Sequence, residues 1–155
     1  MRNTKEALIW ITNILQKQKI PFQITGGLAA RAYGSKRKLA DIDIDIPEDS
    51  FVKIRDDVSP YIIFGPVQYK SKRWDLFLMT LNYNGQEIDL SGAYKTKIYS
   101  IQDKVWTTQS TDLSKSNQVS IYGVDLPVVS RDELIAYKKI LARRVDLLDL
   151  EFLEH

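Results

Sequence analysis

Apolar positions at Leu8, Ile9, Ile11, Ile14 and Leu15 recur at close to helical spacing and predict an amphipathic helix over residues 4 to 18. Pro21 closes it, Phe22 to Thr25 reads as a short apolar strand, and the pair Gly26-Gly27 breaks that strand before a second helical stretch from Leu28 to Tyr33. The period then changes. From Leu39 to Ile46 apolar and polar residues alternate, with Ile42, Ile44 and Ile46 set against Asp41, Asp43 and Asp45, which predicts a strand with one apolar and one acidic face that Pro47 terminates. A helix is expected around residues 49 to 57 and a strand near Tyr61 to Phe64. The runs Arg73 to Tyr83 and Gln86 to Leu90 flank Asn84-Gly85, a strong hairpin signal. Ser91 to Asn117 is polar and poorly periodic, and no element is assigned to it. Val119 to Val124 and Leu126 to Val129 read as short strands, and Ser130 with Glu133 has the spacing of a capping box opening a last helix. The stripe Leu134, Tyr137, Leu141, Val145, Leu148 and Phe152 predicts that this helix runs unbroken for about five turns. Strands interleaved with helices, plus a hairpin, predict an α/β (α+β) fold built on a mixed β-sheet flanked by helices.

Composition narrows the chemistry more than the fold. A chain of 155 residues that is 44% hydrophobic and 27% charged makes one ordinary globular domain, assigned to residues 1–152. No apolar run approaches the roughly 20 residues needed to cross a bilayer, and the N-terminal segment lacks the continuous apolar core of a secretory signal. A cytoplasmic protein with no membrane partner is the expectation. There is no cysteine, so disulfides, thiolate metal sites and cysteine nucleophiles are excluded. The single histidine, His155, falls in Leu153-Glu154-His155, which reads as the scar of an expression tag. Setting it aside removes imidazole bases and histidine-ligated zinc. The net charge of +2 is too small to imply a polyanionic partner. Chemistry here must run on carboxylates, hydroxyls, lysine, arginine or a hard metal ion.

The acidic row is the strongest candidate. On a strand Asp41, Asp43 and Asp45 share one face, with neighbouring Cα atoms about 7 Å apart. Like charges at that range destabilise one another, so the row calls for a counter-ion, and Mg²⁺ or Mn²⁺ suits oxygen ligands of this kind. Two plainer readings compete. Acidic residues also protect solvated edge strands from aggregation. D-x-D-x-D also begins an EF-hand, but the sixth loop position is Ile46 instead of glycine and the twelfth is Val52 instead of glutamate. Upstream, Gly26-Gly27 lies between a strand and a helix start, where backbone without side chains lets amide groups approach a phosphate.

Taken together, Gly26-Gly27 followed by Asp41-Ile42-Asp43 resembles the two-part signature of the nucleotidyltransferase superfamily related to DNA polymerase beta. The likeness is to its small bacterial members, such as aminoglycoside and lincosamide nucleotidyltransferases and those of toxin-antitoxin and abortive-infection systems. Their arginine, three residues and D-I-D correspond to Arg37 through Asp43. The resemblance implies that Asp41 and Asp43 form the metal pair, with Asp45 as the alternative in a frame shifted by two. It implies a third carboxylate from a neighbouring strand, which Asp89 in Gln86-Glu87-Ile88-Asp89-Leu90 matches. It implies further that Gly26 and Gly27 hold the outer phosphates and that Arg37 and Lys138 neutralise them. A last helix carrying Lys138, Arg143 or Arg144, Asp146 and Asp149 also fits the small members, although an exposed charged helix face accounts for it equally. The expected activity is Mg²⁺- or Mn²⁺-dependent transfer of a nucleoside monophosphate from a nucleoside triphosphate to a hydroxyl acceptor, which would be a small molecule, a protein or an RNA end.

Two alternatives remain. One is an inactive nucleotide- or metal-binding subunit with a partner protein, antitoxin-like in role. The other is a nucleic-acid binder using the basic runs Ser35 to Lys38 and Lys70 to Arg73 beside Trp74.

Overall fold

The computed structural model describes residues 2–155. Helix α1 (Thr4–Lys17) is capped by the Asn3 side chain, which accepts from the Glu6 amide, and it buries the predicted stripe through Leu8, Ile11 and Leu15. Strand β1 (Gln23–Thr25) leads directly into α2 (Gly26–Ala32), so the glycine pair forms the first turn of the helix instead of preceding it. Strand β2 (Ile42–Ile46) is shorter than the alternation suggested, and it is followed by α3 (Phe51–Val58). Then come β3 (Ile62–Lys70), which runs well past the predicted Phe64, and the hairpin β4 (Trp74–Tyr83) and β5 (Gln86–Gly92) around Asn84-Gly85.

The polar stretch left unassigned holds two strands, β6 (Lys97–Ser100) and β7 (Val105–Thr108). They pair with each other, and β6 touches the main sheet only through Trp74 and Asp75 of β4. Within the ribbon Ile98 and Ser100 of β6 are buried while β7 is largely exposed, too few buried apolar positions to leave a period in the sequence. The chain closes with β8 (Asn117–Ile121), β9 (Val124–Val128), α4 (Arg131–Leu141) and α5 (Arg144–Leu153).

The last helix is thus two helices. Ala142 adopts a left-handed φ of 48°, its amide closing on the Lys138 carbonyl, and α5 restarts with the Asp146 carboxylate accepting from the Arg143 amide at 3.0 Å. This break turns Asp146 and Asp149 inward and leaves Leu148 and Phe152 of the predicted stripe exposed. The exposed charged face therefore does not exist: both carboxylates are fully buried.

All nine strands form one mixed sheet in the order β7-β6-β4-β5-β2-β1-β9-β8, with β3 pairing β4. β2 runs parallel to β5 and antiparallel to β1, so the acidic strand lies in the interior of the sheet and the edge-strand reading is overturned. Ile42, Ile44 and Ile46 are fully buried in one apolar cluster with Leu8, Ile11, Ile54 and Leu90. With the isoleucines fixed in that core, the strand period commits all three aspartates to the opposite face. Among the described residues no helix is long and apolar enough to cross a membrane.

Candidate active site

The aspartate face of β2 floors a cavity of about 440 Å³. Strand register arranges that floor in rungs. Thr25, Asp43, Asp89 and Thr80 are successive partners across β1, β2, β5 and β4, and Gln23, Asp45, Ser91 and Leu78 form the next rung. All eight line the cavity, together with Asp41 at the entrance to β2. Asp43 and Asp89, 46 positions apart in the chain, are thereby direct neighbours on parallel strands.

The electrostatics follow from this crowding. Burial, then the charges of Asp89, Asp41 and Asp45, push the Asp43 carboxyl up to about 7, with Lys138 pulling the other way. Burial likewise lifts Asp45 to about 7, opposed by a hydrogen bond from Thr111. Asp89 is raised mainly by burial, against a 2.6 Å hydrogen bond from the Thr80 hydroxyl. A carboxyl whose folded pKa lies above its unfolded value of about 3.9 stabilises the fold below that value and loses the contribution as pH rises through the folded pKa. In chelator, the protein is therefore expected to become less stable as pH rises from 4 to 7. Urea titrations across this range check it, and Asp43→Asn should flatten the dependence.

Gly26 is required by the same neighbour. Its φ is 61°, and a Cβ built there would lie 2.2 Å from Asp43 Oδ2. Gly27 faces away from the cavity, where a Cβ would come within 2.8 Å of Arg37 Nη2. Gly26→Ala combines left-handed strain with a clash against a half-buried carboxylate, and should cost on the order of 1–3 kcal/mol. Thermal denaturation measures it, and loss of stability comparable to that of a neutral surface variant would count against this packing.

Arg37 and Lys138, expected beside the phosphates, lie outside the cavity lining. Arg37 forks onto Asp149 with two bonds of 2.9 Å, and Ser35 adds a third at 2.7 Å. Lys138, only 1% exposed, lies 2.9 Å from Asp149 and 3.2 Å from Asp146. Arg143 bonds both oxygens of Asp146 and also lines the cavity, where its guanidinium lies 4.8 Å from the Trp74 ring centroid. Three cations against two carboxylates leave this network with one net positive charge, and the Lys138 ammonium draws the pKa of Asp43 down against the effect of burial.

Several lining residues carried another role, or none, in the sequence reading, Trp74 as an aromatic beside a basic run and Tyr137 as part of an apolar stripe. Trp74 donates its indole N–H to the Tyr137 hydroxyl at 3.0 Å, and both line the cavity. Gln109, Ser110 and Thr111 form a strap across one end, held by the Thr111 amide on the Ala93 carbonyl and by the Thr111 hydroxyl on Asp45 Oδ2 at 2.9 Å. No local signal marks them, because their role depends on where the β6-β7 ribbon returns to the sheet.

The donor set is of the kind a divalent cation takes, carboxylate and hydroxyl oxygens on a pre-formed sheet, and it fits Mg²⁺ or Mn²⁺ in chemistry. Among the described residues the carboxylates are not already gathered as a group of three at ligating distance.

No protein-family model matches the chain, and no curated protein matches it. Solved structures do. The inferred nucleotidyltransferase TM1012 from Thermotoga maritima superposes with a TM-score of 0.69 at 22% identity, over 99% of this chain and 97% of that one. The lincosamide antibiotic adenylyltransferase LnuA, bound to lincomycin, gives 0.66 at 13% identity, covering 99% and 98%. The antibiotic-resistance factor ANT(2'')-Ia, in complex with adenylyl-2''-tobramycin, gives 0.57 at 17% identity, covering 97% of each chain. Likeness over nearly the whole length of three such proteins establishes that this chain has the nucleotidyltransferase fold.

Proposed function

We propose that the protein transfers a nucleoside monophosphate from a nucleoside triphosphate to a hydroxyl acceptor. The observation that carries this reading is the rung pairing of Asp43 with Asp89, beside Asp41 and against the Gly26 turn. Asp41, Asp43 and Asp89 would hold Mg²⁺ or Mn²⁺, which when bound neutralises phosphate charge and lowers the pKa of a coordinated hydroxyl. The Gly26-Gly27 turn would take the outer phosphates on backbone amides. Arg37 and Lys138 would act on them at longer range, through the net positive charge of the network they share with Arg143.

In the transfer the acceptor oxygen forms a bond to the α-phosphorus, the bond from that phosphorus to the bridging oxygen breaks, and pyrophosphate leaves. Asp89 has one oxygen engaged by Thr80 and the other available to take the acceptor proton. Adenylyl transfer to a small-molecule hydroxyl is the form most consistent with the folds of LnuA and ANT(2'')-Ia.

Incubation with α-labelled nucleoside triphosphates, Mg²⁺ and a cell extract should move label onto one acceptor class, with pyrophosphate released. Label that stays on nucleotide under all conditions, with no nucleotide binding by calorimetry, rejects the reading.

A further inference from the structure

The break at Ala142 leaves one face of α5 apolar and uncovered. Leu147, Leu148 and Phe152 are 53%, 40% and 36% exposed, while Asp146, Asp149, Leu150 and Leu153 turn the other side of the helix into the fold. Single exposed leucines are ordinary on any protein surface. Three large apolar side chains gathered on two turns of one helix form a contiguous patch, and such patches mark contacts.

The charges around the patch indicate what covers it. Arg144 and Glu151 are exposed, and neither enters an ion pair among the described residues. They lie seven positions apart, hence on the same face and about two turns from each other. Leu147 follows Arg144 by three residues and Leu148 precedes Glu151 by three, so the segment is symmetric about its midpoint in everything but the sign of its ends. A two-fold axis passing between Leu147 and Leu148 lays a second α5 antiparallel on the first. Leucine then meets leucine at the centre, and each Arg144 lies opposite the Glu151 of the other copy. A parallel pair would instead set arginine beside arginine and glutamate beside glutamate. Closed two-fold pairing through one self-complementary patch is also the commonest form of association between identical chains.

We infer that the protein forms an antiparallel homodimer through α5, with Leu147 and Leu148 on the axis and an Arg144–Glu151 pair at each end. The buried side of the same helix holds Arg143 in the cavity wall through Asp146, so the second copy braces an element of the candidate site from behind. One helix face is smaller than a standard interface, which buries roughly 1,600 Å² in total, so the association is weak and shows at high protein concentration.

Sedimentation equilibrium on the whole protein, from micromolar to near-millimolar concentration, tests the pairing. Wild type should pass from monomer to dimer over this range. Arg144→Glu and Glu151→Arg should each weaken self-association at least about tenfold, because either change puts like charges together at both ends. Mixing these two variants should restore association as a mixed pair, since one copy then carries two acids and the other two arginines. The chain with both substitutions should dimerise like wild type, and Leu148→Glu should stay monomeric. Melting curves at low concentration, where every variant is a monomer, should match wild type because the altered side chains are exposed. Wild type that remains monomeric throughout, a dimer indifferent to charge reversal, or single variants whose mixture fails to associate would each overturn the α5 pairing.

Discussion

Asp43→Asn should abolish nucleotidyl transfer, lowering its rate by three orders of magnitude or more. In the proposed site the residue is the centre of its rung, with Asp89 beside it on β5, Asp41 two positions back and the Gly26 turn against its carboxylate. Losing a charge that steadies the transition state costs about 1.4 kcal/mol per tenfold, so such a drop corresponds to ~4 kcal/mol. Asp41→Asn and Asp89→Asn should follow closely. Asp45→Asn should instead leave turnover within about tenfold, because Asp45 lies one rung back with an oxygen on Thr111. Single-turnover assays with radiolabelled nucleotide give the ranking, and a larger loss for Asp45 than for Asp41 would shift the metal pair to Asp43 and Asp45. A melting curve gives a second readout. A cation that binds only the folded state adds RT ln(1 + [L]/Kd) to its stability, so Mn²⁺ should raise the melting temperature of wild type more than that of Asp43→Asn.

Lys138→Met should be the most destabilising substitution outside the apolar core. Lys138 and its two carboxylate partners are excluded from solvent, and the ammonium lies within 3.2 Å of both. Breaking a buried ion pair by removing one partner costs about 3–5 kcal/mol, and here the loss is of the buried donor that both carboxylates share, since the formal charges of the cluster then balance. Arg37 and Arg143 still reach Asp149 and Asp146, which places the expected loss toward the lower end of that range. Arg37 is more exposed than Lys138, so Arg37→Met should cost less. Urea denaturation separates this from a direct role at the phosphates. A folded Lys138→Met variant of near wild-type stability that binds nucleotide weakly would show that the lysine serves the nucleotide first and the fold second.

The sequence by itself determined the alternation that makes β2 two-faced, the turn at Asn84-Gly85 that sets β4 against β5, and the break at the glycine pair where β1 ends. Each is local: a period, a turn type or a missing side chain can be read within a few residues because backbone sterics act over that range. The sequence also supplied Asp89 as the third carboxylate, but only by resemblance. Tertiary structure alone decided that β2 is an interior strand, that Asp43 and Asp89 share a rung, and that Gly26, not Gly27, lies against the carboxylate. It alone divided the last helix at Ala142, which the apolar stripe gave no reason to expect, and so buried Asp146 and Asp149 around Lys138. Charged residues at helical spacing look the same whether they face water or, like Asp146 and Asp149, a buried lysine and two arginines. What differs is the set of partners brought from 100 or more positions away, as Arg37 and Ser35 are to Asp149, and pairing over that distance leaves no trace in a local pattern.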